Sequence, residues 1–135
     1  MNSIYECIVG DMETNSNGHK YTAMTWHMMF DKIKTPGVFA CYNSLSPDEI
    51  AAKIIDYEIT MRNLQLSITL RVLDTPQGNI LQYLLDNNVE IYVTPVGTGN
   101  LLDGVVFSDN YTFNYFNLTS EKSAFKCATP LKEVI

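Results

Sequence analysis

The stretch Val93-Thr94-Pro95-Val96-Gly97-Thr98-Gly99 puts a hydroxyl after an apolar run and ahead of two glycines. Acyl transfer needs such a nucleophile, a base within hydrogen-bond reach, and N–H donors for the oxyanion. Thr94 supplies the oxygen, but its β-branch restricts χ1 and Pro95 drives it towards an extended backbone. Pro95 also takes one N–H away from the stretch where oxyanion donors would be sought. The chain has two histidines to serve as base. His19 reads as a solvated loop residue and His27 as part of a helix face. Asp109 follows at about the place of an orienting carboxylate, although Asp109-Asn110 between two strands reads more simply as a turn. Cys7, Cys41 and Cys127 are far apart, with no C-x-x-C pair and no neighbouring histidines, so they read as reduced, mostly buried thiols. Gly97-Thr98-Gly99 lacks the lysine and the following helix of a phosphate loop. No metal and no cofactor is expected.

A hydroxyl is useful only if rigid elements hold it. Leu64, Leu66, Ile68, Leu70 and Val72 alternate with Gln65, Ser67, Thr69 and Arg71, which predicts a strand over 64–72. Asp74 or Thr75 then caps a helix over 76–87 with Pro76 at its first position. Ile80, Leu81, Leu84 and Leu85 fall on one face of it, and Asn87-Asn88 ends it. Val89, Ile91 and Val93 alternate into a strand over 89–93 that leads to Thr94 and a glycine-bearing loop. Upstream, the sequence predicts a strand over 5–9, a polar loop over 10–18, and a helix from Thr22 to about Lys34. Ala23, Trp26, His27 and Phe30 share a face of that helix, which Pro36-Gly37 stops. A strand over 38–42 follows, then a short helix opened by Ser46 and Pro47, with Glu49 closing a capping box and Ile50, Ala51 and Ile54 buried.

Downstream, strands over 104–107 and 111–118 are joined by Ser108-Asp109-Asn110. Tyr111, Phe113 and Tyr115 fall on one side of the second strand, with Phe116 and Leu118 on the other. The tail over 121–135 holds Phe125, Leu131, Val134 and Ile135 among charges and is expected to dock on the domain or on a partner. The sum is one α+β domain over 1–135, mainly antiparallel, as a small barrel or curled sheet with about three helices. Residues 64–72, 89–93 and 111–118 should share that sheet, with 76–87 packed across it.

The succession of an apolar strand, Leu73-Asp74-Thr75-Pro76-Gln77-Gly78 opening a helix, a second apolar strand and a glycine-bearing loop resembles the head-maturation (prohead) proteases of tailed bacteriophages. Asn15-Ser16-Asn17-Gly18-His19-Lys20-Tyr21 ahead of a helix is similar to a segment near that family's N-terminus, so the resemblance spans nearly the whole chain. It implies the herpesvirus-assemblin-like fold. In the family a V-S-x-R-G-x-G loop carries the serine nucleophile; here Thr94 stands at the serine and Val96 at the arginine. The family's histidine lies between the first helix and the long alternating strand. Residues 36–64 hold no histidine, and Cys41-Tyr42 occupies the corresponding region. With nucleophile and base both changed, the resemblance implies a protease-like domain that is not an enzyme.

At 135 residues and a net charge of −6, the chain is long enough for one core and too acidic for broad attraction to nucleic acid or anionic lipid. No apolar run reaches the roughly 18 residues of a membrane span, and no secretion signal is expected from the first residues. The resemblance then points to a non-catalytic phage head protein that binds capsid or other head subunits, or its own copies. It would reside in the virion head, and in the host cytoplasm during assembly. Tyr111, Phe113, Tyr115, Phe125 and Leu131 are the interface candidates, as apolar anchors of the kind interfaces use. Three alternatives stay open: a pseudo-protease that regulates an active maturation protease, a divergent active peptidase using Thr94, and an unrelated small phage or bacterial binding protein whose match to the family is coincidental.

Overall fold

The computed structural model describes residues 4–13, 15–30, 37–44, 46, 48–60, 65–99, 104–106 and 111–134. In chain order these form β1 (Ile4–Asp11), β2 (Lys20–Tyr21), α1 (Ala23–Met29), β3 (Phe39–Cys41), β4 (Ile50–Thr60), β5 (Gln65–Val72), α2 (Pro76–Asp86), β6 (Tyr92–Gly99), β7 (Val105–Val106), β8 (Tyr111–Thr119) and β9 (Lys132–Glu133). Seven strands make one sheet in the order β6-β8-β3-β4-β5-β1-β9, antiparallel except for β3 against β8. β2 and β7 pair in parallel as a separate ribbon.

The architecture is therefore α+β with two helices among the described residues and an open sheet, where the sequence suggested about three helices and allowed a barrel. The sheet curls without closing. The segment before β9 reaches the segment before β6, where the Leu131 N–H donates to the Ile91 carbonyl at 2.8 Å.

The helix expected after Ser46 is strand β4 instead. Its expected face of Ile50, Ala51 and Ile54 spans a bulge, because β3 pairs Cys41 with Ile50 and Ala40 with Ala52 and skips Ala51, and another bulge follows at Ile55, between Ile54↔Leu70 and Asp56↔Thr69. A bulge inserts one residue and shifts the period-two pattern. Ala52 and Ile54 face the core before it, and Tyr57 and Ile59 pack against the core after it. Four β-branched isoleucines also favour the pleated strand. Ser46 and Glu49 make a turn rather than a cap, with the Glu49 N–H donating to the Ser46 carbonyl at 2.9 Å.

Another bulge, where Val96 pairs with Tyr115 and Gly97 with Phe113, skips Asn114 in β8. The side assignment of that strand changes accordingly. Phe113 lies with Phe116, ring centroids 5.1 Å apart, and Tyr115 is turned to the opposite face.

Thr75 explains how α2 is seated. Its hydroxyl accepts from the Gly78 N–H at 2.9 Å and donates to the Ile50 carbonyl at 2.7 Å, so one side chain caps the helix and ties it to β4. Gly78 is buried, and a Cβ there would collide with the carbonyl oxygens of Leu73 and Ala51. Of the expected apolar face, Leu81 is fully buried and Leu84 and Leu85 half-buried, but Ile80 is exposed. In α1, Trp26, Met29 and Phe30 enter the core, while Ala23, Met24 and His27 face solvent, a rotation from the expected face. Residues 31–36, which include the expected end of that helix to about Lys34, lie outside the described residues.

The tail docks on the domain through Phe125 and Leu131, whereas Val134 is exposed and Ile135 lies outside the described residues. Phe125 packs against Tyr21 and Trp26, each ring centroid 5.5 Å away. Thr129 bonds Ile8 twice, its N–H donating at 3.0 Å and its hydroxyl accepting at 2.9 Å.

Candidate functional site

Thr94 lies within β6, not in a loop. The expected glycine loop is the second half of that strand, with Gly97, Thr98 and Gly99 paired to Phe113, Thr112 and Tyr111. Gly97 is needed for packing, because a Cβ there would run into the Tyr111 ring and the Thr112 carbonyl oxygen. An anion cradle is not its role.

Strand register brings Thr94 into a row. Thr94 pairs with Asn117 of β8, Asn117 with Cys41 of β3, and Cys41 with Ile50 of β4. The neighbouring pairs Pro95↔Phe116 and Ala40↔Phe116 hold the fully buried Phe116 and Ala40, so the row occupies the opposite, outer face of the sheet. Thr94 and Cys41 thus flank Asn117, with their backbones about 10 Å apart across two strand spacings. Sequence reasoning singled out Thr94 and Cys41 but missed Asn117, whose only signal was a polar residue between Phe116 and Leu118.

The Asn117 side chain is fixed. Its Oδ1 accepts from the Asn43 N–H at 2.9 Å, and Asn43 has a left-handed backbone, φ 65°, of the kind asparagine tolerates. Asn117 can therefore orient a neighbour, but an amide takes up no proton at neutral pH.

Cys41 makes a poor base or nucleophile. It is fully buried, and burial pushes its thiol up to about 11, with the nearby Glu49 carboxylate adding to the effect. Tyr42 projects from the other side of β3, and its buried hydroxyl has no hydrogen-bond partner among the described residues.

Neither histidine joins the row. His27 stands on α1 with its Nδ1 3.5 Å from the Tyr57 hydroxyl. Tyr57 lies seven residues along β4 from Ile50, on the order of 20 Å at the rise of a strand. His19 is held in a turn, its N–H donating to Asn15 Oδ1 at 3.0 Å. Asp109, the sequence's choice of orienting acid, lies outside the described residues. Val96 pairs with Tyr115 one step along the same face and brings no charge.

The interface candidates lie within the chain's own packing. Phe125, Leu131 and Tyr115 are buried, and Tyr111 and Phe113 pack against the core. Among the described residues no group of histidine, cysteine and carboxylate side chains is placed to hold a metal. No helix among them is long and apolar enough to cross a membrane. An open groove of about 660 Å³ lined by Ile8, Thr60, Gln65, Ser67, Thr129 and Lys132 contains no member of the Thr94 row.

In comparison with known proteins, the chain matches no family model, no curated protein and no solved structure.

Proposed function

We propose that this chain is a non-catalytic, prohead-protease-like head protein of a tailed phage, acting by binding other head subunits. The observation that carries the reading is the row itself. The hydroxyl of Thr94 sits abreast of an amide and a buried thiol, on three adjacent strands, where a working site would set a base beside its nucleophile. Triad catalysis needs a group that accepts a proton near neutral pH, and an asparagine followed by a thiol raised to about 11 offers none. Pro95 removes a donor from the same strand. The curled antiparallel sheet with α2 seated on β4 through Thr75 and Gly78 agrees with the assemblin-like expectation, which belongs to the same proposal.

The test has two arms. Purified chain incubated with phage head proteins should leave them uncut, and the same chain should co-sediment with mature heads. Cleavage that disappears in Thr94→Ala would overturn the non-catalytic part. Loss of the chain from heads on maturation would replace the structural role by regulation of an active protease.

A further inference from the structure

The register of β4 against β5 sets Lys53 directly opposite Arg71. Ala52↔Val72 and Ile54↔Leu70 on either side are core pairs, so both cations project from the outer face, the face that carries Thr94, Asn117 and Cys41. Phe39 pairs with Lys53 on one flank and Ile4 with Arg71 on the other. Like charges directly opposite in an antiparallel pair destabilise it. The chain has fifteen carboxylates to its nine Lys and Arg, so an anion for either position was not scarce. Glu6 and Asp56, however, both stand opposite Thr69, one pair further along that face.

The Arg71 Nε–H is buried with no hydrogen-bond partner among the described residues. The side chains of Lys53 and Arg71 are half-buried, so water screens the repulsion only in part. A buried donor left unmade calls for an acceptor. Gly37 lies beside the Lys53 stem and the Phe39 ring: a Cβ there would sit 3.5 Å from Lys53 Cε and 3.2 Å from the ring.

We infer that Lys53 and Arg71 form a binding site for an oxyanion from outside the chain, a carboxylate or a phosphate group. The guanidinium supplies a planar fork for two oxygens, and the ammonium a point charge beside it. Phe39 and Ile4 supply apolar walls. The inference uses only the charge pattern of the outer face, so it stands or fails separately from the head-protein reading.

The test is a titration of the isotope-labelled full chain, followed by amide NMR at constant ionic strength. The probes are sodium phosphate, sodium acetate and an end-blocked tri-aspartate peptide, with chloride as reference. Saturable shifts confined to Ile4, Phe39, Lys53, Arg71 and their neighbours are expected. Tighter binding of the peptide would make the ligand an acidic segment of a partner, and tighter binding of phosphate a free or ester phosphate. Lys53→Met should weaken binding about tenfold or more, the worth of one charge-assisted hydrogen bond. It should also leave the chain at least as stable as the parent at low salt, because it removes the repulsion. Shifts no different from chloride, shifts retained in Lys53→Met, or a Lys53→Met chain less stable at low salt would each overturn the site. The last would mean that Lys53 already has its partner inside the chain.

Discussion

Replacing Gly78 by alanine sets two effects of opposite sign against each other, and the structure decides between them. In a helix interior alanine is favoured over glycine by about 0.8–1 kcal/mol. Gly78 is the third residue of α2 and lies against sheet backbone. Its added Cβ would overlap the Leu73 carbonyl oxygen and come within 2.9 Å of the Ala51 carbonyl oxygen. Neither atom is the end of a flexible side chain, so α2 would have to lift by roughly 1.5 Å to restore ordinary contact. Lifting strains the Thr75 hydroxyl's bond to Ile50, worth about 0.5–1.5 kcal/mol, and disturbs the packing of Leu81, which is 0% exposed. Overpacking of this kind costs about 1–3 kcal/mol. With the propensity gain set against these losses, the expected result is a net destabilisation of about 0.5–3.5 kcal/mol, or a Tm lower by about 2–14 °C. Urea denaturation of Gly78→Ala beside Asn79→Ala, an exposed position where propensity acts alone, measures both terms. A Gly78→Ala chain as stable as the parent would refute the close approach of α2 to the sheet.

Phe125→Ala should cost about 3–5 kcal/mol, because the ring is 2% exposed and fills the space between Tyr21 and Trp26. A melting temperature within a degree or two of the parent would mean that the tail is not docked there. Burial pushes the Cys7 and Cys127 thiols up to about 12 and Cys41 to about 11, and it raises the Tyr111 hydroxyl in the same direction. A folded-state value above the unfolded one means the folded chain holds its protons longer. The stability these groups contribute is therefore complete below about pH 9 and declines as pH rises from there towards 12. The urea midpoint should stay level from pH 7 to 9 and fall by pH 11; a level midpoint at pH 11 would contradict the burial of the thiols.

What the sequence made legible is what local pattern encodes. The alternation of Leu66, Ile68, Leu70 and Val72 became a strand with those side chains inside, and Thr75-Pro76 opened a helix at the expected place. Two errors share one cause. Bulged residues, Ala51 and Ile55 in β4 and Asn114 in β8, change the side on which later residues fall, so apolar residues appear at helical spacing in one case and on the wrong face in the other. A bulge is set by the partner strand, and nothing in the strand's own sequence announces it. The strand β6 was cut short at Val93 for a related reason. Pro95, Gly97 and Gly99 read as loop residues, yet proline is tolerated on an edge strand, and this strand ends the sheet order. Gly97 is small because Tyr111 lies over it.

The candidate site was less legible than the fold, since it exists only across strands. Thr94, Asn117 and Cys41 are far apart in the chain, and so are Lys53 and Arg71; register alone makes them neighbours. The residues that carried the family resemblance are of another kind. Thr75 and Gly78 are required because α2 rests on the backbone of Leu73 and Ala51, and Gly97 because an aromatic ring covers it. Those demands come from packing and hold whether or not any bond is cleaved. Thr94 and Val96 are only half-buried, and Cys41, though fully buried, lies on the outer face beside them. On the proposed reading, packing preserves the residues that shape the domain, so activity has to be judged from the Thr94 row, never from the glycines beside it.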